Sequence, residues 1–161
     1  METEKIKMPI KQALPMIAEM VKLKYVTDTL GKSSGWIYNK MNHSTTTTFS
    51  NGFNQSDINL LNNTFNEIGQ KLINTRLFIP SGEGKTDLQI KQDVISQIQA
   101  ISVILSMPYI YSVKMGKPRS WYMNRMLKNS MKASFKQEDI NLFNLAIVEI
   151  GNKLLSIELT L

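Results

Sequence analysis

A chain of 161 residues with 42% hydrophobic side chains is long enough to bury a core and too apolar to remain disordered. It has no cysteine and one histidine, His43, which excludes a disulfide framework, a thiolate zinc site and imidazole-rich metal centres, so no cofactor or metal is expected. Nineteen Lys and Arg against thirteen Asp and Glu leave a net charge of +6, a balance that favours a polyanionic partner.

The amino-terminal stretch METEKIKMPIKQALPMIAEM lacks the apolar core and cleavage site of a signal peptide. No later run reaches the length of a membrane span, so a soluble cytoplasmic protein with no membrane partner is expected.

Residues 1–11 are charged and mixed and read as a frayed lead-in. From Pro15, which suits a first helical turn, Met16, Ile17, Met20, Val21, Leu23, Val26 and Leu30 follow helical spacing. Gly31 then ends the helix, as a residue that takes the left-handed conformation readily. Ser33 or Ser34 caps a short helix through Trp36, Ile37, Tyr38 and Met41. After it, Thr45 to Thr48 and the Asn51-Gly52 pair predict a two-stranded ribbon or extended loop.

Phe53 stands five residues before Ile58, the spacing of a hydrophobic staple, and Asn54 with Asp57 adds a capping-box pair. Ile58, Leu61, Phe65, Ile68 and Leu72 form the apolar face of the helix that follows.

Residues 80–87 form a linker rich in turn formers. Gly84-Lys85-Thr86 resembles the tail of a phosphate-binding loop, but the required earlier glycine is replaced by Ile79 and no buried strand leads in. A helix from Leu88 to about Tyr111 contains Pro108, which predicts a kink or a break near Ser106.

From here the chain repeats itself. GKSSGWIYNKM at 31–41 returns as GKPRSWYMNRM at 116–126, with Pro118 now taking the first-turn position. QSDINLLNNTFNEIGQKLI at 55–73 returns as QEDINLFNLAIVEIGNKLL at 137–155. The offsets are 85 and 82, and the three-residue difference falls in the loop between the blocks. Phe135 and Ile140 repeat the staple, and Ile140, Phe143, Ile147, Ile150 and Leu154 repeat the stripe. Leu159 and Leu161 at the end are expected to pack against the other copy.

Self-similarity of this period means one supersecondary unit used twice. The expected fold class is therefore mainly all-α: a tandem repeat of a helix-turn-helix-like three-helix unit, with a short β-ribbon or extended loop in the first copy. The copies span 12–79 and 88–161 and are expected to pack as one pseudo-symmetric unit. Trp36 and Trp121 occupy equivalent places and read as core anchors, with base stacking as the alternative role.

Val26, Leu30, Gly31 and Ile37 fit the apolar and glycine positions of a helix-turn-helix, whereas Lys32 and Lys40 depart from them. The stretch YVTDTLGKSSGWIYNKMN, followed by Phe53 and DINLLNNTFNEIGQKL, resembles a small domain of unknown function recurrent in Bacteroidetes genomes and their phages. Its members carry a GKS-x-x-W-[LI]-Y stretch, matched here at Gly31, Lys32, Ser33, Trp36, Ile37 and Tyr38; the second copy keeps Gly116, Lys117 and Trp121. The resemblance implies a helix-turn-helix-like unit, a phage or mobile-element setting and a bacterial host cytoplasm. It brings no activity with it.

Charge supplies the functional argument. Lys114, Lys117, Arg119, Arg125, Lys128, Lys132 and Lys136 follow one another with no acidic residue among them, which suits a phosphate backbone, although a solvated face would also carry such a run. The leading expectation is a double-stranded DNA-binding protein, a transcription regulator. Ser34, Tyr38, Asn39, Arg119, Asn124 and Arg125 would face base edges, and Lys32, Lys40, Lys117, Lys128 and Lys132 would hold phosphates.

The alternative is a helical protein-interaction or phage structural module, a homo-oligomer or a partner of phage or host proteins; ten methionines lend it some support. An enzyme is not expected. Glu67 and Glu149 each precede a lysine, Lys71 and Lys153, at ion-pair spacing, and His43 has no acid to orient it.

Overall fold

Ile10, Ala13, Leu14, Ile17 and Met20 recur at helical spacing and all are buried, so the first helix begins well before Pro15. In the computed structural model, which describes residues 4–42 and 52–161, the order is β1 (Ile6–Pro9), α1 (Ile10–Met20), α2 (Leu23–Leu30), α3 (Trp36–Met41), α4 (Gln55–Ile73), α5 (Asp87–Ser102), a π-helix (Tyr109–Lys114), α6 (Arg119–Arg125), α7 (Gln137–Ser156) and β2 (Ile157–Thr160). The chain is thus mainly helical with one small parallel sheet. Among the described residues no helix is long and apolar enough to cross a membrane.

The lead-in expected over residues 1–11 is corrected: Ile6–Pro9 is a strand and Ile10 already opens a helix. Pro15 lies inside α1 on its exposed side, where the loss of one backbone donor is outweighed by the buried stripe opposite. The single helix expected through Leu30 is two helices. Val21 leaves α1 in an extended conformation, φ −115° and ψ 136°, and α2 restarts at Leu23. Both Val21 and Leu23 are buried, so the break re-aims the apolar face without exposing it.

Two compact units make up the chain. The first gathers residues up to 74 together with those from 149 onward; the second is the continuous stretch 75–148.

In the first unit, Gly31 ends α2 as expected, at φ 68°. Its N–H donates to Asp28 O and that of Lys32 to Thr27 O at 2.9 Å, which satisfies the carbonyls that a helix end leaves open. The serine cap expected for α3 is corrected: Gly35 occupies the N-cap, with no side-chain bond. The Thr-rich ribbon falls on residues outside the described set, apart from Gly52 at φ 86°. α4 opens on the expected capping box, Asn54 Oδ1 accepting from Asp57 N–H at 2.9 Å and Asp57 Oδ2 from Asn54 N–H at 3.1 Å. Both ends of the staple, Phe53 and Ile58, are buried.

Two further features close this unit. β1 and β2 pair in parallel with Ile6 opposite Ile157 and Met8 opposite Leu159. Asn62 of α4 brackets Leu159, its Nδ2 donating to Leu159 O at 3.1 Å and its Oδ1 accepting from Leu159 N–H at 2.7 Å. Leu159 is buried, whereas Leu161 is exposed. α4 and the end of α7 cross at two glycines. A Cβ on Gly69 would stand 2.9 Å from Gly151 O and 2.8 Å from Leu155 Cγ; one on Gly151 would stand 3.0 Å from Gly69 O and 2.8 Å from Ile73 Cγ2.

In the second unit, Thr86 of the Gly84-Lys85-Thr86 sequence caps α5, trading hydrogen bonds with Gln89. That is the service those residues perform in place of a nucleotide loop. α5 stops at Ser102, and the chain bends before the π-helix that Pro108 precedes, in line with the expected break near Ser106. Pro118 is the N-cap of α6, one position before the first turn where the sequence places it. Asn144 of α7 brackets Leu77 as Asn62 brackets Leu159, at 2.9 Å to its carbonyl and 2.7 Å from its N–H.

Candidate nucleic-acid interface

Each unit builds a tryptophan site on a glycine turn. Trp36 packs edge-on against Phe53, ring centroids 6.1 Å apart, and Trp121 against Phe135 at 5.6 Å. Four residues before and four after each indole a cation approaches its ring: Lys32 at 5.6 Å and Lys40 at 5.4 Å for Trp36, Lys117 at 5.5 Å and Arg125 at 4.5 Å for Trp121. The i±4 spacing puts all three side chains on one side of the turn and helix. Both indoles are half-buried, held as anchors between a core phenylalanine and two cations.

The second cation of each pair differs in its surroundings. Lys40 Nζ donates to Asp57 Oδ2 at 2.7 Å and to Gly52 O at 3.3 Å, and both side chains are largely covered, 25% and 12% exposed. Its charge is balanced by the carboxylate that also caps α4. Arg125 donates from Nη1 to Trp121 O at 3.1 Å, and its buried Nε has no partner among the described residues. Asp139, which opens α7 as Asp57 opens α4, accepts from Lys136 N–H at 2.8 Å as Asp57 does from Asn54 N–H, but makes no ion pair with Arg125 among the described residues.

The remaining residues singled out by sequence divide by exposure. Lys32, Ser34, Tyr38 and Asn39 are exposed on or beside α3, and Arg119 and Asn124 are exposed on α6. Lys128 and Lys132 are exposed on the loop after α6, and Lys117 is half-buried. Ser34, Tyr38 and Asn39 fall within one turn and a half of each other at the outward side of α3, as do Arg119, Met123 and Asn124 on α6.

Lys91 is the residue that sequence reasoning missed. It is 3% exposed, and its Nζ donates to Ser130 O and, at 2.6 Å, to Ala133 O. Burial first, and then the Arg125 guanidinium, lowers its pKa below the ordinary lysine value. Gln92 beside it donates to Lys128 O at 2.9 Å. The loop is therefore strung from α5 by its carbonyls, over a cavity of about 300 Å3 that Lys91, Val94, Met131 and Phe135 help to line. A lysine amid Ile90, Val94 and Ile95 reads as an ordinary exposed position in an amphipathic helix, so nothing in the sequence marks it.

Tyr111 and Tyr122 stack at 4.8 Å and seat α6 on the π-helix. Burial, and next Tyr111, push the Tyr122 hydroxyl up to about 12, so it stays neutral at physiological pH. Among the described residues no group of acidic or imidazole side chains is placed to hold a metal ion.

No curated protein and no solved structure matches the chain. Residues 10–79, which span α1 to the segment after α4 and so contain the first of the two tryptophan sites, match the family model of a domain of unknown function, DUF5053.

Proposed function

We propose that this is a non-catalytic DNA-binding protein, a transcription regulator of phage or mobile-element origin acting in a bacterial cytoplasm, built from one helix-turn-helix-like module used twice. Duplication is supported by what recurs at fixed offsets: the Gly31 and Gly116 turns at φ 68° and 67°, the paired tryptophan sites, and the asparagine brackets Asn62–Leu159 and Asn144–Leu77. Gly69 and Gly151 meet reciprocally, as equivalent positions do across a two-fold interface.

Nucleic acid is favoured by one observation above the rest. From residue 94 to residue 137 the chain holds seven Lys and Arg and no Asp or Glu, and most of those cations are exposed. Phosphate contacts supply most of the affinity in such complexes. Lys117, Arg119, Lys128 and Lys132 would hold backbone, while Ser34, Tyr38, Asn39 and Asn124 would reach base edges.

A titration of fluorescent mixed-sequence duplex at 50 and 200 mM salt tests this. With four phosphate contacts the affinity falls on the order of 150-fold between the two. No binding at the lower salt overturns it.

A second reading, a protein-interaction module, is favoured by Val113, Leu127, Met131 and Met123, which are 66%, 52%, 49% and 46% exposed within the same stretch. Salt-insensitive behaviour together with self-association at micromolar concentration would support that reading instead.

A further inference from the structure

We infer that the phosphate grip belongs to the second unit alone, and that its instrument is the loop 126–136, held in its working shape by the buried Lys91 and by Gln92. The inference rests on the nucleic-acid reading and specifies which of the two modules carries it. Three observations support it, each independent of the others.

The segments at equivalent places are chemically unlike. Residues 42–54, between α3 and α4, contain no Lys or Arg; residues 126–136, between α6 and α7, contain Lys128, Lys132 and Lys136, all exposed. The serine, threonine and asparagine of the first segment carry no charge and so bring no counterion release.

The clamps beside these segments differ in net charge. Lys40 is neutralised by Asp57 at 2.7 Å, whereas no carboxylate lies within ion-pair distance of Arg125 among the described residues. The field of Arg125 therefore adds to that of the loop lysines, while the field of Lys40 is cancelled within about a Debye length.

Lys91 explains how the loop is presented. A buried ammonium is costly unless its donors are met, and an apolar side chain would fill the space without that cost. What the lysine does instead is draw the carbonyls of Ser130 and Ala133 inward, and Gln92 draws in that of Lys128. Carbonyl oxygens are the negative ends of the peptide dipoles, so turning three of them toward α5 leaves the outer rim of the loop to its lysines. Lys91 is a positioning residue: it is too deeply buried to touch the backbone it helps to hold.

The test is the slope of log affinity against log salt, measured on the full chain with mixed-sequence duplex. K128Q/K132Q should lower the slope by about 1.8, the counterion yield of two phosphate contacts, and K32Q in the first unit should leave it unchanged. Lys91→Met should lower the slope as well, although the charge removed is buried. Should Lys91→Met fail to fold, Gln92→Ala removes one tether alone and should weaken binding several-fold at an unchanged melting temperature.

Binding whose slope responds to K32Q as strongly as to one loop lysine overturns the assignment to the second unit. Wild-type binding by both Lys91→Met and Gln92→Ala overturns the positioning role. Absence of any binding by the unaltered protein at low salt overturns the nucleic-acid reading itself, and with it this inference.

Discussion

Lys40 and Arg125 sit at matching places in two similar sequences, GWIYNKM and SWYMNRM, yet only one has an acid to meet. Sequence marks both as cations beside a tryptophan and cannot separate them, because Asp57 and Asp139 also match. Both carboxylates turn to their own helix caps; what separates them is that Asp57 also takes Lys40 at 2.7 Å, whereas no ion pair joins Asp139 to Arg125 among the described residues. Lys40→Met should therefore act on stability. Leaving Asp57 covered without its partner costs about 1–3 kcal/mol, read as a lower urea midpoint with the same m-value. The salt slope of the proposed DNA binding should not move.

At the level of elements, α4 and α7 meet where neither has a side chain. A methyl at Gly69 would press on the Gly151 carbonyl at 2.9 Å and on Leu155, a backbone contact that cannot rotate away. Gly69→Ala and Gly151→Ala should each cost about 1–3 kcal/mol, seen as a lowered melting temperature. The double variant should cost less than the sum, since one separation of the helices relieves both clashes.

Elements set by nearby residues were legible in the sequence: α3 and α6 from their glycine turns, α4 from Phe53, Asn54 and Asp57, and the break after α5 from Pro108. Those set by distant partners were not. The strand Ile6–Pro9 exists because Ile157–Thr160 lies beside it, and the interruption at Val21 follows burial on both sides of the break. The exposed candidates for base and phosphate contact were legible as charge and polarity, but Lys91 was not, since its role is defined by two carbonyls some forty residues away.

Across the whole molecule, each unit is made from both halves of the chain. The segment after α4 is bracketed by Asn144, and the segment after α7 by Asn62, so the halves exchange their trailing ends. Cutting the exposed turn at Gly82 to Gly84 should therefore not release two proteins. With a protease site placed there, the cleaved fragments should co-elute in gel filtration; fragments that elute apart would show that the exchanged ends bind too weakly to matter.

The pairing of β1 with β2 also fixes an order of events during synthesis. The amino-terminal half must wait for residues 157–160 before its sheet can close, whereas 75–148 is complete once its own last residue has left the ribosome. The later-made stretch can therefore finish first, and the earlier-made one is left holding an open seam until residues 157–160 emerge.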